Sequence, residues 1–407
     1  MPLSSARIRF LPVTLMFGFS LMNYFDRTIM SIAGPEIMKE FHIEPTQMGV
    51  VYSAFVLAYA LFMMPGGHLV DRIGPRQSLT LMGFGAALFT GLTAFGAQPG
   101  LGTWIGVIPA LVAIRFLMGI CTSPLYPACG RMCAQWIPAA YLGRVQGIII
   151  GGSALGGAIA PMLFQVLMGV AGWRKSFGIA AVATASLALL WMLTTTDQRP
   201  AGTPPHSAES PWRKLLTNRN LLLLTASYSA LGYYSYLFYY WIYYYFGEIR
   251  HMGYEQSARF TTIVFVVNGL MIPFGGWLSD RLSKSHGERF GRRVVPIAGL
   301  TLSAVLLLAG TLTTGNWTTV LLMAFAMGCA SVCEGPFWAM TIRIGGEQSG
   351  AACSILNTGA NFTGLIAPVL TPYIASFAGW SWGLYFGCLV ILVGAVACYK
   401  VEVQSEP

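Results

Sequence analysis

Gly67-His68-Leu69-Val70-Asp71-Arg72 recurs in the second half of the chain as Gly276-Trp277-Leu278-Ser279-Asp280-Arg281, and this echo decides the fold. Ile159-Ala160-Pro161 returns as Ile366-Ala367-Pro368, and Ala171-Gly172-Trp173 as Ala378-Gly379-Trp380. Gly152 and Gly157 are answered by Gly359 and Gly364. All these copies stand 207 to 209 residues apart. A common offset held across a chain of 407 residues means two copies of one unit, fused in the same direction.

That unit belongs in a bilayer. Hydrophobic residues make up 55% of the chain and charged residues only 10%, too few charges to solvate a soluble domain. Apolar runs near 10–33, 47–69, 77–97, 104–128, 143–167, 174–194, 220–246, 258–278, 294–314, 317–341, 350–374 and 380–399 each approach the roughly 20 residues that a helical span needs. The polar stretch from Thr194 to Asn220, with Pro200, Pro204, Pro205 and Pro211, divides them six and six. The expected architecture is therefore an all-α membrane protein of twelve transmembrane helices in two six-helix bundles. Residues 1–194 and 220–407 form the bundles and 195–219 a cytoplasmic linker, whose Trp212-Arg213-Lys214 can lie at the headgroups. Doubled membrane units of this kind are the layout of secondary transporters.

Lysine and arginine set the orientation. With the N-terminus inside, seventeen of them fall in cytoplasmic loops and five, Lys39, Arg174, Lys175, Arg250 and Arg259, fall outside. The positive-inside rule then places both termini in the cytoplasm. The net charge of +9 reads as topology and lipid contact, not as nucleic-acid binding. The basic, apolar N-terminal segment runs on through Asn23-Tyr24-Phe25-Asp26-Arg27 without a cleavage site, so it reads as a retained first helix of a bacterial inner-membrane protein.

Gly67-x-Leu69-x-Asp71-Arg72-x-Gly74-Pro75-Arg76 resembles the signature loop of the major facilitator superfamily, and the resemblance extends over essentially the whole chain. Gly67 would permit close helix approach. Asp71 would pair across a cytoplasmic gate, with Arg72, Arg76, Asp280 and Arg281 as the other gating charges.

Four formal charges lie well inside the spans: Asp26, Arg27, Arg115 and Glu334. Each costs about 2.5–3.5 kcal/mol at a helix centre on insertion scales, so each needs a partner or a purpose. Asn23-Tyr24-x-Asp26-Arg27 in the first span and Arg115-x-x-x-Gly119 in the fourth resemble the anion:cation symporter family, which includes proton-linked carriers of sugar acids. That resemblance implies that Arg27 and Arg115 grip a substrate carboxylate, that Asp26 is a protonation site and that Tyr59 lines the cavity. Guanidinium suits the task, because it stays charged and offers a carboxylate a planar fork. Structural neutralisation within the bundle is the competing role. Adjacent helical residues point about 100° apart, so Asp26 and Arg27 must find different partners.

One position departs from the family. The glutamate usual seven residues after the fourth-helix arginine is here Thr122, which cannot titrate. Glu334, in Cys333-Glu334-Gly335-Pro336, would supply that carboxylate for proton coupling, or else form a structural pair with Arg115 or Arg27. Uniport or exchange also stays open on this ground.

The seventh span is rich in tyrosine. Tyr233, Tyr236, Tyr240 and Tyr244 share a face, and Tyr236 and Tyr240 are the candidates for the cavity. Tyrosines near 243–245 would form an aromatic belt at the outer interface. In the eleventh span Asn361, one turn from Asn357, is a candidate substrate contact. The eight cysteines sit in or beside apolar spans, so neither a disulfide framework nor a zinc site is implied. The five histidines are scattered, and His68 alone, inside the signature loop, could be a pH-sensitive gate residue.

There is no nucleophile–base grouping, metal-ligand spacing or Walker loop, so an enzyme is not expected, nor any cofactor. The reading is a monomeric carrier importing a small organic anion, a sugar acid or related carboxylate, with protons. It would work by alternating access around a site near the midplane between halves. The alternatives are an organic-anion or organic-phosphate exchanger or uniporter, and a non-transporting membrane sensor on the same scaffold.

Overall fold

The computed structural model describes residues 4–96, 101–136, 142–196, 215–345 and 349–402, and all regular structure among them is helical. The chain divides into two compact units, Met1–His206 and Ser207–Pro407. The linker expected over 195–219 falls largely on residues 197–214, which with Trp212, Arg213 and Lys214 lie outside the described residues.

The first unit contains α1 (Ser4–Phe41), α2 (Pro45–Ile73), α3 (Pro75–Phe95), the short α4 (Leu101–Ile105), α5 (Val107–Thr122), α6 (Leu125–Trp136) and α7 (Leu142–Thr194). The second contains α8 (Arg219–Tyr244), a π-helical turn (Tyr245–Ile249), α9 (Tyr254–His286), α10 (Glu288–Leu312), α11 (Asn316–Ser331), α12 (Glu334–Gly345), α13 (Ser349–Ala378) and α14 (Trp380–Tyr399). Among the described residues nine helical stretches are long and apolar enough to cross a membrane, and the longest, Ile148–Thr194, holds two spans. Asn23, Asp26 and Arg27 dilute the hydropathy of α1, and the tyrosines that of α8. Large apolar side chains such as Leu61, Leu88, Val182, Leu270 and Val393 stand exposed, as a lipid-facing surface requires.

Backbone chemistry explains the sequence echoes. Gly172 (φ 76, ψ 159) breaks α7 into its two spans, and Gly379 (φ 91, ψ 159) stands between α13 and α14. This backbone region is essentially closed to residues with a Cβ, so the Ala-Gly-Trp sequence recurs where the same turn recurs. The fourth and tenth spans are broken in the same way. Between α5 and α6, and between α11 and α12, two residues leave the helix, and Pro127 and Pro336 each stand third in the helix that follows. Proline has no N–H to lose in a first turn.

The glycine that presses on these breaks is not Gly67. A Cβ on Gly67 would meet nothing within 4 Å, whereas one on Gly66 would lie 2.8 Å from Ser123 Oγ, and one on Gly275 would run into the Val332 carbonyl. The close approach expected of Gly67 thus belongs to its neighbour, and it seats α2 and α9 against the broken spans. Gly152 and Gly156 on α7 sit against the α1 backbone at Phe17 and Leu21, as close helix packing demands.

The histidines are not all scattered. His42 (φ 53) and His251 (φ 52) occupy the same left-handed position just past the first span of each unit. Ile43 N–H bonds to the Met38 carbonyl, and Met252 N–H to that of Phe246, closing both helix ends.

Candidate functional site

In the first unit the two buried arginines converge on Phe55. Gly119 brings α5 against α2, since a Cβ there would lie 2.5 Å from the Phe55 carbonyl oxygen. Arg115, one turn earlier on the same face, therefore reaches across the crossing. Its guanidinium lies 5.0 Å from the Phe55 ring centre, and that of Arg27, from α1, lies 5.2 Å from the same ring. Arg27 also packs over Tyr24 at 5.6 Å. Two cations thus share one aromatic ring, an arrangement stabilised by the ring quadrupole and opposed by their mutual repulsion.

Arg115 is 1% exposed. Its Nη1 donates to the Asp26 carbonyl oxygen at 3.4 Å and its Nη2 to the Arg27 carbonyl oxygen at 3.3 Å. The Asp26 side chain points elsewhere, as the helical angle requires: its Oδ2 accepts a 2.8 Å bond from Thr184 on α7. Its Oδ1 has no hydrogen-bond partner among the described residues. Tyr59 is buried and stacks on Phe55 with ring centres 6.0 Å apart. The hydroxyl of Thr122 is turned into its own helix, donating to the Met118 carbonyl at 2.9 Å.

In the second unit Glu334 opens α12, where a carboxylate is favoured by the helix dipole. Its Oε2 accepts a 2.9 Å bond from the Tyr228 hydroxyl, and Trp338 Nε1 donates to that same hydroxyl at 3.3 Å. Sequence reasoning missed Tyr228. The signal was its place two turns before Tyr236, on the face that carries Tyr236 and Tyr240.

Tyr236 donates a 2.9 Å bond to Asn361 Oδ1, and Asn361 Nδ2 donates to the Asn357 carbonyl at 2.9 Å. The Tyr236 ring is stacked on Tyr240 at 6.0 Å and fills the space left by Gly364, where a Cβ would run into it. Beside this pair, Tyr239 stacks on Phe265 at 4.9 Å and accepts from Asn268, which in turn accepts from Ser331 at the end of α11. The belt expected near 243–245 is instead internal packing: Tyr243 and Tyr245 are buried, and Tyr244 lies 5.0 Å from Trp380.

Of the charges expected at a cytoplasmic gate, Arg76, Asp280 and Arg281 make contacts within their own units. Arg76 Nη2 donates to the Met192 carbonyl at 2.7 Å, capping the last turns of α7. Arg72 is exposed, and the side chain of Asp71 lies outside the described residues. Asp280 pairs with Arg292 at 2.6 Å, and Arg281 packs over Trp277 at 5.4 Å.

Twelve helical spans in two repeated units, with guanidinium and carboxyl groups held inside them, define a membrane carrier and not an enzyme. The chain belongs to the Major Facilitator Superfamily, which matches residues 16–287 and 286–407. It is 28% identical over 393 residues to a probable sulfoacetate transporter of Cupriavidus necator, covering 92% of this chain and 89% of that protein. It is 28% identical over 404 residues to a hexuronate transporter of Bacillus subtilis (96% and 92% covered). A probable galactarate/D-glucarate transporter of Bacillus subtilis is 27% identical over 421 residues (96% and 90%). The fold is that of a bacterial homologue of the human lysosomal transporter Spinster, solved in an inward-facing and occupied conformation. That match has a TM-score of 0.80 at 16% identity and covers 97% of this chain and 96% of that one.

Proposed function

We propose that the protein imports a small organic anion, a sugar acid or related carboxylate, together with protons, by alternating access. It does so as a monomer in the bacterial inner membrane with both termini cytoplasmic. The observation that carries this reading is the pair of guanidinium groups, Arg27 and Arg115, set against the single ring of Phe55. Two like charges at one buried ring repel each other, and an anion arriving between them turns that repulsion into binding. Names of the relatives, hexuronate, galactarate/D-glucarate and sulfoacetate transporters, support an anion of this size. Arg27 is the primary substrate contact. Arg115 sets its position and adds charge, while Tyr59, Tyr236, Tyr240 and Asn361 supply the remaining aromatic and polar contacts.

Asp26 and Glu334 carry the proton in this scheme. Asp26 has one hydroxyl donor and one open oxygen, and Glu334 has a phenol ready to exchange hydrogen-bond roles with it. A second reading, exchange or uniport, draws on Thr122, whose hydroxyl is spent on its own helix where relatives of the anion:cation type carry a glutamate.

A thermal-shift screen of the purified protein against hexuronates, aldarates, sulfoacetate, neutral sugars and organic phosphates tests the substrate class. Ligands that bind only the folded state raise the midpoint by mass action. Stabilisation by carboxylates that vanishes in Arg27→Ala supports the proposal, and stabilisation by neutral sugars alone would overturn it. Counterflow in liposomes then separates a carrier from a sensor that binds without flux.

A further inference from the structure

At one end of the second unit, the start of α8, the first turns of α10 and the end of α14 enclose an open cleft of about 800 Å³. Among the described residues four cationic side chains line it, Arg219, Arg289, Arg293 and Lys400, together with His286 and the carboxylate of Glu402. Its floor is apolar, formed by Val294 and Ile297. Two aromatic rings at its mouth, Phe290 and Tyr399, are 49% and 67% exposed. None of these residues takes part in the substrate or proton machinery described above.

The cleft is built, not a chance scatter of loop charges. Arg293 donates to the Tyr399 carbonyl and packs over the Tyr399 ring at 5.5 Å, and its buried Nε has no hydrogen-bond partner among the described residues. The Glu402 N–H bonds to Asn220 Oδ1 at 3.0 Å, tying the chain beyond α14 to the first turn of α8. Ordinary positive-inside cations extend into water, as exposed Lys284 does on α9. Here cations from three helices are gathered over one concave apolar floor, where low-dielectric walls focus their field.

Such a site selects a compact, multiply charged oxyanion, because guanidinium forks and an ammonium group match phosphate oxygens. The apolar floor and the exposed rings select an anion joined to hydrocarbon at the membrane surface. The distribution of lysine and arginine assigns this end of the helices to the cytoplasm, where leaflet lipids are anionic. We propose that this cleft binds a phosphate-bearing anion, the headgroup of an anionic phospholipid in the inner leaflet.

The test uses the full-length protein in detergent, with phosphatidylglycerol, cardiolipin and phosphatidylcholine as lipid probes. Inorganic phosphate and glycerol phosphate serve as soluble probes. Binding is read by native mass spectrometry and by the melting midpoint. The double variant Arg289→Gln/Lys400→Gln removes two exposed cations from the cleft, Arg219→Gln is an independent third, and Arg259→Gln/Lys284→Gln removes the same charge elsewhere.

Phosphatidylglycerol or cardiolipin, but not phosphatidylcholine, should remain bound and raise the midpoint. Apparent affinity should fall about tenfold or more in the cleft variants and stay within about twofold in the control. Stabilisation by the soluble probes and not by lipid, again lost only in the cleft variants, would assign the site to free phosphate esters and overturn the lipid source. Equal lipid binding by cleft and control variants, with no response to soluble phosphate, would overturn the site altogether. The midpoint shift produced by a carboxylate substrate is measured in parallel and should persist in the cleft variants, so failure of this proposal and failure of the transport proposal are distinguishable.

Discussion

Arg115 Nη2 lies 3.3 Å from the backbone carbonyl oxygen of Arg27, so the fourth span holds the first at the residue whose own guanidinium shares Phe55 with it. The energetics explain why the arginine tolerates burial. A guanidinium at the bilayer centre costs about 2.5–3.5 kcal/mol on insertion scales. Hydrogen bonds involving a charged group return about 1.5–3 kcal/mol each. Bonds of 3.3 and 3.4 Å belong at the weak end of that range, yet two of them with the ring contact still offset the cost. Arg115 is thus a brace as well as a charge, and the two arginines should respond differently to the same substitution.

Arg115→Lys keeps the charge but cannot span both carbonyls, because an ammonium group lacks the planar fork. It should lower the melting midpoint by the equivalent of about 1.5–3 kcal/mol and weaken substrate binding with it. Arg27→Lys keeps a cation near Tyr24 and Phe55, and its substrate-induced shift should disappear. A thermal-shift titration of both variants checks the pair. Equal destabilisation would mean that Arg27 is structural too.

Phe55 is fully buried with both guanidiniums near its ring, and Phe55→Leu removes the quadrupole while keeping most of the volume. Each cation–ring contact is worth about 0.5–2 kcal/mol, so substrate affinity should fall about two- to thirtyfold and the melting midpoint should fall with it. Binding isotherms on the detergent-solubilised protein are the measurement. An unchanged affinity would remove the shared ring from the account of the site.

Glu334 and Tyr228 are joined by a 2.9 Å bond, and the proposed coupling role predicts a split between two assays. Glu334→Gln should abolish uphill uptake driven by a proton gradient while leaving counterflow exchange intact, because exchange needs no net proton transfer. Tyr228→Phe should preserve exchange and reduce uphill uptake severalfold. Proteoliposomes with and without an imposed pH gradient give both readouts. If Glu334→Gln still concentrates substrate, the carboxylate is an N-terminal helix residue and nothing more.

How far these features could be read in advance depends on how strongly chemistry constrains a position. Gly172 and Gly379 are visible as an echo because the turn's backbone excludes a Cβ. Arg27 and Arg115 stand out because a charge in an apolar span is costly. Side-chain direction has no such marker. That Arg115 turns to carbonyl oxygens, that Glu334 finds Tyr228, and that Gly66 and not Gly67 meets the broken helix all depend on helix rotation, which the repeat pattern leaves open to within one residue. His42 and His251 escaped notice because a left-handed histidine is permitted and not required at a helix end.

Outside the spans, Glu40 ties the end of α1 to the turn at Gly172. Its carboxylate accepts two bonds from Arg174, at 2.6 and 3.0 Å, and a third from Trp173 Nε1 at 2.8 Å. The Arg174 hydrogen bonds hold the Glu40 carboxyl below the usual carboxylate range, against a smaller opposing effect of desolvation. A carboxyl whose folded-state value is depressed contributes stability above its unfolded value, about 4.3, and loses it as pH falls through the folded value. The difference in midpoint between the parent and Glu40→Gln should therefore be constant above about pH 5.5 and shrink below about pH 4.3. Both side chains are more than a third exposed, so screening limits the effect to less than about 1 kcal/mol, and added salt should reduce it further. Melting curves of both proteins from acid to neutral pH check this, and a difference that grew on acidification would show that the cluster does not work as an ion pair.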